Sequence, residues 1–198
     1  MAIFALKPYQ GLHYRPFTAL AHALSEAEVD ELISLGEALT PQSATLARES
    51  GSIVDPSFRN ARVAWLYPDP RASAVFGRLA ELIEQVNGES YRFDLLGFAE
   101  PIQYTVYEAP SVGYDWHIDM LLAPTEVQRK LSITIQLTDP ADYDGGELEL
   151  RDGSSVVTAP KGRGTLVAFP GWGHHRVTAV TRGTRKSLVA WIGGPAFR

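Results

Sequence analysis

Three side chains in this sequence have the types and the spacing of a metal site. His117 and Asp119 are two residues apart, which places an imidazole and a carboxylate on the same side of an extended segment. His175 follows a Phe-Pro-Gly-Trp-Gly stretch and begins a predicted strand. Two histidines and one carboxylate on one face of an iron ion leave positions free for a bidentate co-substrate and O2. Zinc instead prefers a closed or nearly closed tetrahedral site.

The other histidines are interpreted as structural. His174 precedes His175, so strand alternation sends the two side chains to opposite faces, and we assign His174 an exposed or packing position. His13 and His22 lie in the N-terminal segment without a carboxylate partner at ligand spacing. The chain has no cysteine, which excludes disulfides, thiolate metal ligands and a cysteine nucleophile.

Two further residues are candidates for binding a carboxylate beside the metal. Arg185 lies ten residues beyond His175, after a Thr-Arg-Gly turn, and we expect its strand to run antiparallel beside the strand of His175. A guanidinium there can bind a carboxylate through two parallel hydrogen bonds. Tyr107 lies ten residues before His117, where its hydroxyl could hold the same carboxylate. Together these residues predict a dicarboxylate site beside an iron.

The elements that must position these residues are short β-strands preceded by two helices. Ser25 and Glu28 fit a capping box at the start of a helix over 25–39, and a second helix is predicted over 70–86. From about residue 93 the pattern is typical of a β-sandwich or double-sheet jelly roll. Strands are expected at 100–107, 131–137, 147–150, 155–158, 165–169, 174–180 and 186–192. Helices followed by strands indicate an α+β fold with a β core.

Two of these strands are polar on one face. Side chains alternate across a sheet, and in 102–107 and 131–137 one face is mainly apolar. The opposite faces carry Gln103, Thr105, Tyr107, Ser132, Thr134 and Gln136. Because both strands are expected to be central, we predict that these polar faces line a wet cavity.

Composition limits the class of protein and its partners. With 198 residues, 45% hydrophobic and 21% charged, the chain is expected to form one domain. A net charge of −5 and a pI near 5.5 argue against a nucleic-acid substrate. No apolar run reaches the roughly 20 residues of a membrane span, and the N-terminus lacks a signal-peptide pattern. We therefore expect a cytoplasmic location without membrane attachment.

Seven stretches of the sequence follow one another in a specific order: 103–107, 113–119, 131–134, 142–148, 169–170, 175–178 and 183–185. This order resembles that of the 2-oxoglutarate/Fe(II) dioxygenases, specifically the prolyl-4-hydroxylase-like branch. The resemblance covers about 98–192 and implies a double-stranded β-helix (jelly-roll) core. It implies a single domain over 1–198, in which 1–97 form a helical support region packed on the outside of the major sheet.

The resemblance also implies roles for individual residues. His117, Asp119 and His175 would ligate Fe(II), with 2-oxoglutarate and O2 as co-substrates. Arg185 would pair with the distal carboxylate of 2-oxoglutarate. Its hydrogen-bonding partner would be Tyr107, or Tyr104 if the loop that follows has a different length.

The implied reaction is hydroxylation of an unactivated C–H bond, with release of succinate and CO2. Related halogenases have a small residue at the position of Asp119, so a carboxylate there favours hydroxylation, while desaturation, epoxidation and ring closure stay open. The substrate would be an amino acid, a peptidyl proline or a small natural product. Candidate substrate contacts are Tyr114, Trp116, Trp172, Trp65, Arg59 and Arg62.

Two alternatives belong to other classes of protein. One is a non-enzymatic or zinc-bound jelly roll that binds a ligand. The other is a different metal-dependent enzyme, such as an isomerase or a hydrolase, which would turn over without O2 and release no succinate.

Overall fold

In the residues that the structure describes, short strands and turns follow residue 97, and two α-helices and five short strands precede it. The computed structural model describes residues 15–44, 46–48, 51–53, 55, 57–120 and 127–196. The α-helices are α1 (Glu26–Glu37) and α2 (Ser73–Val86). The strands are β1 (Thr18–Leu20), β2 (Gln42–Ser43), β3 (Leu46–Arg48), β4 (Gly51–Ile53), β5 (Arg62–Leu66), β6 (Gly97–Phe98), β7 (Ile102–Glu108), β8 (Tyr114–His117), β9 (Gln128–Gln136), β10 (Asp144–Gly145), β11 (Leu148–Asp152), β12 (Ser155–Thr158), β13 (Leu166–Pro170), β14 (His175–Val177), β15 (Val180–Arg182) and β16 (Thr184–Gly194).

The first helix starts at the predicted capping box. The amide of Glu28 donates to Ser25 Oγ over 3.3 Å, and the amide of Ser25 donates to Glu28 Oε2 over 2.7 Å. These bonds satisfy amide groups that have no partner within the first helical turn. Val29, Leu32 and Gly36 are buried on one face of α1, so the predicted amphipathic helix is confirmed.

The second helix begins later than predicted and ends where it was predicted to end. It begins at Ser73 rather than residue 70, because the Asp69 carboxylate accepts the amides of Arg71 and Ala72 and holds a turn there. At its other end, the α-helix stops at Val86 as predicted, with Asn87 at its C-cap. A π-helical turn continues over Asn87–Tyr91, and the Asn87 side chain closes it through two 2.9 Å hydrogen bonds with the main chain of Phe93.

Eight strands form the major sheet, in the order β1-β13-β9-β16-β7-β5-β2, with β6 paired to β16. Their pairings are antiparallel. The apolar faces of β7 and β9 belong to the same buried cluster as the apolar faces of α1 and α2. The predicted α+β architecture, with helices on the outside of the major sheet, is confirmed.

A second, four-stranded sheet has the order β12-β11-β14-β8. Its inner face meets the polar faces of β7 and β9, and the cavity between the sheets is lined from both sides. A 3₁₀ turn over Pro140–Asp142 precedes β10, which pairs with β15 in a separate two-stranded sheet. Two facing antiparallel sheets of this kind form a jelly-roll core.

Two expectations about the strands are wrong, and one strand was not predicted. The region 1–97 is not only helical, because β1, β2 and β5 extend the major sheet. The predicted strand over 174–180 is interrupted between β14 and β15, which pair with different partners. The strand β8 falls outside every predicted strand. Strands of two or three residues, such as β1, β2, β14 and β15, are too short for sequence alternation to reveal them.

In the part of the chain that the structure describes, neither α1 nor α2 combines the length with the apolar character of a membrane-spanning helix.

Candidate metal centre and its cavity

His117, Asp119 and His175 come together as a cluster of metal-ligand atoms. One ligand atom from each side chain lies within 4.8 Å of the others. His117 Nε2 is 3.8 Å from Asp119 Oδ1, and His175 Nε2 is 3.6 Å from Asp119 Oδ2. All three side chains are largely shielded from solvent. Two imidazole nitrogens and one carboxylate converging on a point form a facial ligand set for a divalent transition metal.

The main chain orients both imidazoles toward this point. His117 Nδ1 lies 2.7 Å from the carbonyl oxygen of Asp115, and His175 Nδ1 lies 2.9 Å from that of Gly173. Since a carbonyl can only accept, each Nδ1 carries the proton and each Nε2 lone pair faces the cluster. The pKa of His117 is lowered to about 3, because burial and the nearby His175 disfavour the charged ring. The neutral imidazole is the form that binds a metal.

Asp119 is held as a carboxylate in spite of its burial. Burial raises its pKa, but the neighbouring imidazoles of His175 and His117 and a hydrogen bond from Ser132 together bring the pKa below its usual value. Ser132 Oγ donates to Asp119 Oδ2 over 2.7 Å. A proton and a metal ion compete for the carboxylate oxygens, so an ionised Asp119 favours metal binding.

Arg185 provides a cation elsewhere in the same cavity. Its side chain is 2% exposed, with Nη1 donating to Ser187 Oγ over 3.1 Å and Nη2 to Gln136 Oε1 over 3.0 Å. Among the described residues, no group accepts a hydrogen bond from its Nε. A buried cation without a counter-ion is costly. The carboxylate of a bound anion would supply both the charge and the acceptor, so Arg185 fits a carboxylate ligand.

The strand of Arg185 is not where the spacing predicted. Arg185 lies on β16 of the major sheet, whereas His175 lies on β14 of the facing sheet, so the expected side-by-side pairing is wrong. The two residues instead line the cavity from opposite sheets. The turn residues between His175 and Arg185 suggested a hairpin of two neighbouring strands. At that turn, however, the chain crosses to the other sheet.

Tyr107 and Tyr104 lie on opposite faces of β7. Tyr107 is the register partner of Arg185 across β7 and β16 and lines the cavity. Tyr104 faces the helices, and its ring packs so closely on Gly36 that a Cβ there would lie 2.4 Å from it. The alternative that gave Tyr104 the contact with the carboxylate is therefore corrected, because its hydroxyl does not reach this cavity.

The lining of the cavity combines polar and apolar side chains, as small-molecule sites do. Polar side chains from the major sheet line it together with apolar side chains from the facing sheet: Gln103, Thr105, Thr134, Leu148 and Val177. The prediction from strand parity that polar faces line a cavity is confirmed.

Two of the candidate substrate contacts line this cavity. Tyr114 stacks on His117 with ring centroids 3.6 Å apart, and the guanidinium carbon of Arg59 is 4.4 Å from the Tyr114 centroid. Strict alternation would not put Tyr114 and His117 on one face. A β-bulge in β8 does so, because three steps along β8 match two along β14.

The other candidates lie elsewhere, which corrects the prediction for them. Arg62 is exposed and pairs with Glu108 at 3.1 Å on the helix-facing side of the sheet. Trp116 lies outside the cavity beside Arg151 and His174, and Trp172 is 38% exposed beside Phe93. Trp65 contacts Trp191 at a centroid distance of 6.2 Å. His174 is exposed, as predicted; His22 is also exposed, and His13 lies outside the described residues.

Sequence reasoning missed three cavity residues on β16. Ser187, Val189 and Trp191 follow Arg185 at alternate positions and share its face. The alternation was present in the sequence, but strand parity was used to assign only the faces of 102–107 and 131–137 to the cavity.

Comparison with known proteins places this site in a family context. The family model described as the 2OG-Fe(II) oxygenase superfamily matches residues 102–193. A PKHD-type hydroxylase of Methylobacterium nodulans is 30% identical over 176 residues, which cover 81% of this chain and 77% of that protein. A PKHD-type hydroxylase of Pseudomonas fluorescens is 37% identical over 84 residues and 40% of this chain. The chain spans only 37% of the length of that relative.

The fold is shared with a solved prolyl hydroxylase. The structure from Trichoplax adhaerens, in complex with a peptide fragment of the hypoxia inducible factor oxygen degradation domain, superposes with a TM-score of 0.74. Sequence identity is 20%, and the match covers 91% of this chain and 84% of that one. The similarity at this level of identity concerns the fold alone.

Proposed function

Because the chain belongs to the 2OG-Fe(II) oxygenase superfamily, we propose that it is an Fe(II)- and 2-oxoglutarate-dependent hydroxylase. One observation carries the proposal: a single cavity contains both a facial ligand set and a buried arginine. The ligand set suits Fe(II), and the arginine suits the distal carboxylate of 2-oxoglutarate. A zinc site alone would leave Arg185 without a role.

The residues of this chain divide the binding between them. His117, Asp119 and His175 would hold Fe(II). Arg185 would bind the distal carboxylate of 2-oxoglutarate, with its guanidinium kept in place by Ser187. When bound, Fe(II) and 2-oxoglutarate supply the oxidising chemistry, in which O2 is consumed, succinate and CO2 are released and one oxygen atom enters a substrate C–H bond.

Several side chains keep this chemistry directed at the substrate. Leu148, Phe169 and Val177 form an apolar wall that excludes water from the metal end. The pKa of Tyr114 is raised to about 12 by burial, so its hydroxyl stays protonated at neutral pH and does not compete as an anionic ligand.

We propose a proline residue in a peptide as the first substrate to test. The rings of Tyr114 and Trp191 give the cavity flat aromatic walls, which suit a small aliphatic ring. The PKHD-type hydroxylase relatives and the peptide bound by the prolyl hydroxylase of the same fold support this choice. A free amino acid and a small natural product are the alternatives in the same test.

The experiment measures succinate released from 2-oxoglutarate by the Fe(II)-loaded enzyme, with proline-containing peptides, their alanine analogues and free amino acids. We expect one class to stimulate succinate release and to gain one oxygen atom by mass spectrometry. Asp119→Ala should abolish both signals, while Asp152→Ala, at the exposed end of β11, should leave them unchanged. Full activity in Asp119→Ala would contradict the proposed function.

A further inference from the structure

Arg129 reaches the cavity side of the major sheet because β9 contains a β-bulge. Between Ile192 and Gly193 the register advances by one residue in β16 and by two in β9, so Lys130 is the additional residue. A bulge re-aims the side chains beside it. The guanidinium carbon of Arg129 consequently lies 4.0 Å from the ring centroid of Trp191, which lines the cavity.

The Arg129 guanidinium joins Glu100 to the main chain of Asp119. Its Nη1 donates to the carbonyl oxygen of Asp119 over 3.3 Å. Its Nε donates to Glu100 Oε1 over 2.7 Å, and Nη2 contacts the same oxygen. The Arg129 side chain is 16% exposed and that of Glu100 is 31% exposed. Such a partly buried pair is screened by solvent and salt much less than a surface pair.

The orientation of Asp119 depends on hydrogen bonds to its main chain, because Asp119 lies outside the strands. β8 ends at His117, so no ladder of β8 extends to Asp119. Its amide and that of Met120 both donate to the carbonyl oxygen of Gly171, over 3.0 and 2.8 Å. Arg129 acts on the opposite side of the residue, at its carbonyl oxygen. The two contacts together restrict rotation of the peptide units on both sides of the Asp119 Cα.

We propose that Arg129 and Glu100 are positioning residues for Asp119 and thereby set the affinity of the triad for a divalent metal. The inference rests on the proposed function, since it takes the triad to be a metal site. Neither residue is a ligand in this account; each acts through the orientation of Asp119. Groups that orient a metal ligand typically change metal affinity by about 10–100-fold when they are removed.

The test is a titration of the metal-free protein with Mn(II), without 2-oxoglutarate or substrate, in which electron paramagnetic resonance reports the free ion. Arg129→Met keeps the aliphatic bulk over Trp191 and should raise the Kd about tenfold. Arg129→Lys should recover only part of the affinity, because an ammonium group cannot span Glu100 and Asp119 as the guanidinium does. Glu100→Gln removes the negative charge that holds the Arg129 guanidinium and should also raise the Kd.

The matched control is Arg71→Met, which removes an exposed arginine paired with Asp69 and should leave the Kd unchanged. Thermal unfolding of each metal-free variant separates the proposed role from a structural one, since a structural role would lower Tm without changing the Kd. If Arg129→Met does not fold, Glu100→Gln decides the question.

Asp119→Ala distinguishes failure of this inference from failure of the proposed function. Suppose that Asp119→Ala binds Mn(II) weakly while Arg129→Met keeps the wild-type affinity. This result would overturn only the positioning role, and Glu100→Gln replaces Arg129→Met if the latter does not fold. Wild-type affinity in Asp119→Ala would overturn the metal site and the positioning role with it.

Discussion

His117 and His175 are direct register partners on the antiparallel strands β8 and β14, and their ring centroids lie 4.1 Å apart. Strand pairing therefore fixes the relative position of two of the three proposed ligands. Asp119 follows the end of β8 and is oriented by side chains and main chain from β9 and from the turn after β13. A site built on paired strands is held more precisely than one on loops, so Asp119 is the ligand most sensitive to its surroundings.

Arg185→Gln should raise the KM for 2-oxoglutarate strongly. Removing one partner of a buried charge pair costs about 2–5 kcal/mol, which corresponds to at least an order of magnitude in affinity. Steady-state kinetics with varied 2-oxoglutarate measures the change. Arg182→Gln is the matched control, because this arginine lies three residues earlier in an exposed pair with Asp144. Equal KM values for the two variants would contradict the assignment.

Tyr107→Phe and Tyr104→Phe should differ in their effect on 2-oxoglutarate. The two hydroxyls lie on opposite sides of β7, and only Tyr107 lines the cavity with Arg185. We expect Tyr107→Phe to raise the KM for 2-oxoglutarate and Tyr104→Phe to leave it unchanged. A raised KM only in Tyr104→Phe would show that the alternative tyrosine has the role.

The metal-free protein should lose stability as the pH falls below 6.5. The His117 pKa is about 3 in the folded state and near the ordinary 6.5 in the unfolded chain, mainly because burial disfavours the charged ring. Between these two pKa values the unfolded state binds a proton that the folded state does not, so the free energy of unfolding decreases as the pH is lowered. Urea unfolding in the presence of a chelator, between pH 6.5 and about pH 4.5, measures how the free energy of unfolding changes with pH. This dependence should be shallower for His117→Asn than for the wild-type protein. Identical slopes would contradict the burial of a neutral ring.

Gly36→Ala and Gly77→Ala should change stability in opposite directions. Alanine normally stabilises a helix interior by roughly 0.5–1 kcal/mol relative to glycine, and a Cβ at Gly77 meets nothing within 4 Å. At Gly36 the Cβ would meet the Tyr104 ring at 2.4 Å, and overpacking of that kind costs about 1–3 kcal/mol. Chemical denaturation of both variants tests how closely α1 packs on the major sheet. Stabilisation by Gly36→Ala would refute that packing.

Local patterns in the sequence predicted the features that depend on neighbouring residues. The capping box at Ser25 and the alternating faces of β7 and β9 follow from spacing along one element, and both are confirmed. The convergence of His117, Asp119 and His175 also follows from spacing once the strands are paired. Their roles as ligands, and that of Arg185, stay predictions that the experiments above test.

Features that depend on pairing between distant segments could not be predicted. The bulges in β8 and β9 change which side chains face the cavity, and each exists only in the register with a partner strand. The bulge in β8 brings Tyr114 onto the face of His117, whereas Trp116 and Trp172, which were also predicted to contact the substrate, lie outside the cavity. Arg129 received no role, since its reach to Asp119 depends on the bulge at Lys130.

Joint binding of Fe(II) and 2-oxoglutarate in one cavity is tested most directly by visible absorption spectroscopy of the anaerobic protein. We predict a weak metal-to-ligand charge-transfer band that requires both Fe(II) and 2-oxoglutarate and is absent from Asp119→Ala. If the wild-type protein binds neither, as a zinc-binding or non-enzymatic jelly roll would, or if the band persists in Asp119→Ala, the assignment of this cavity is contradicted.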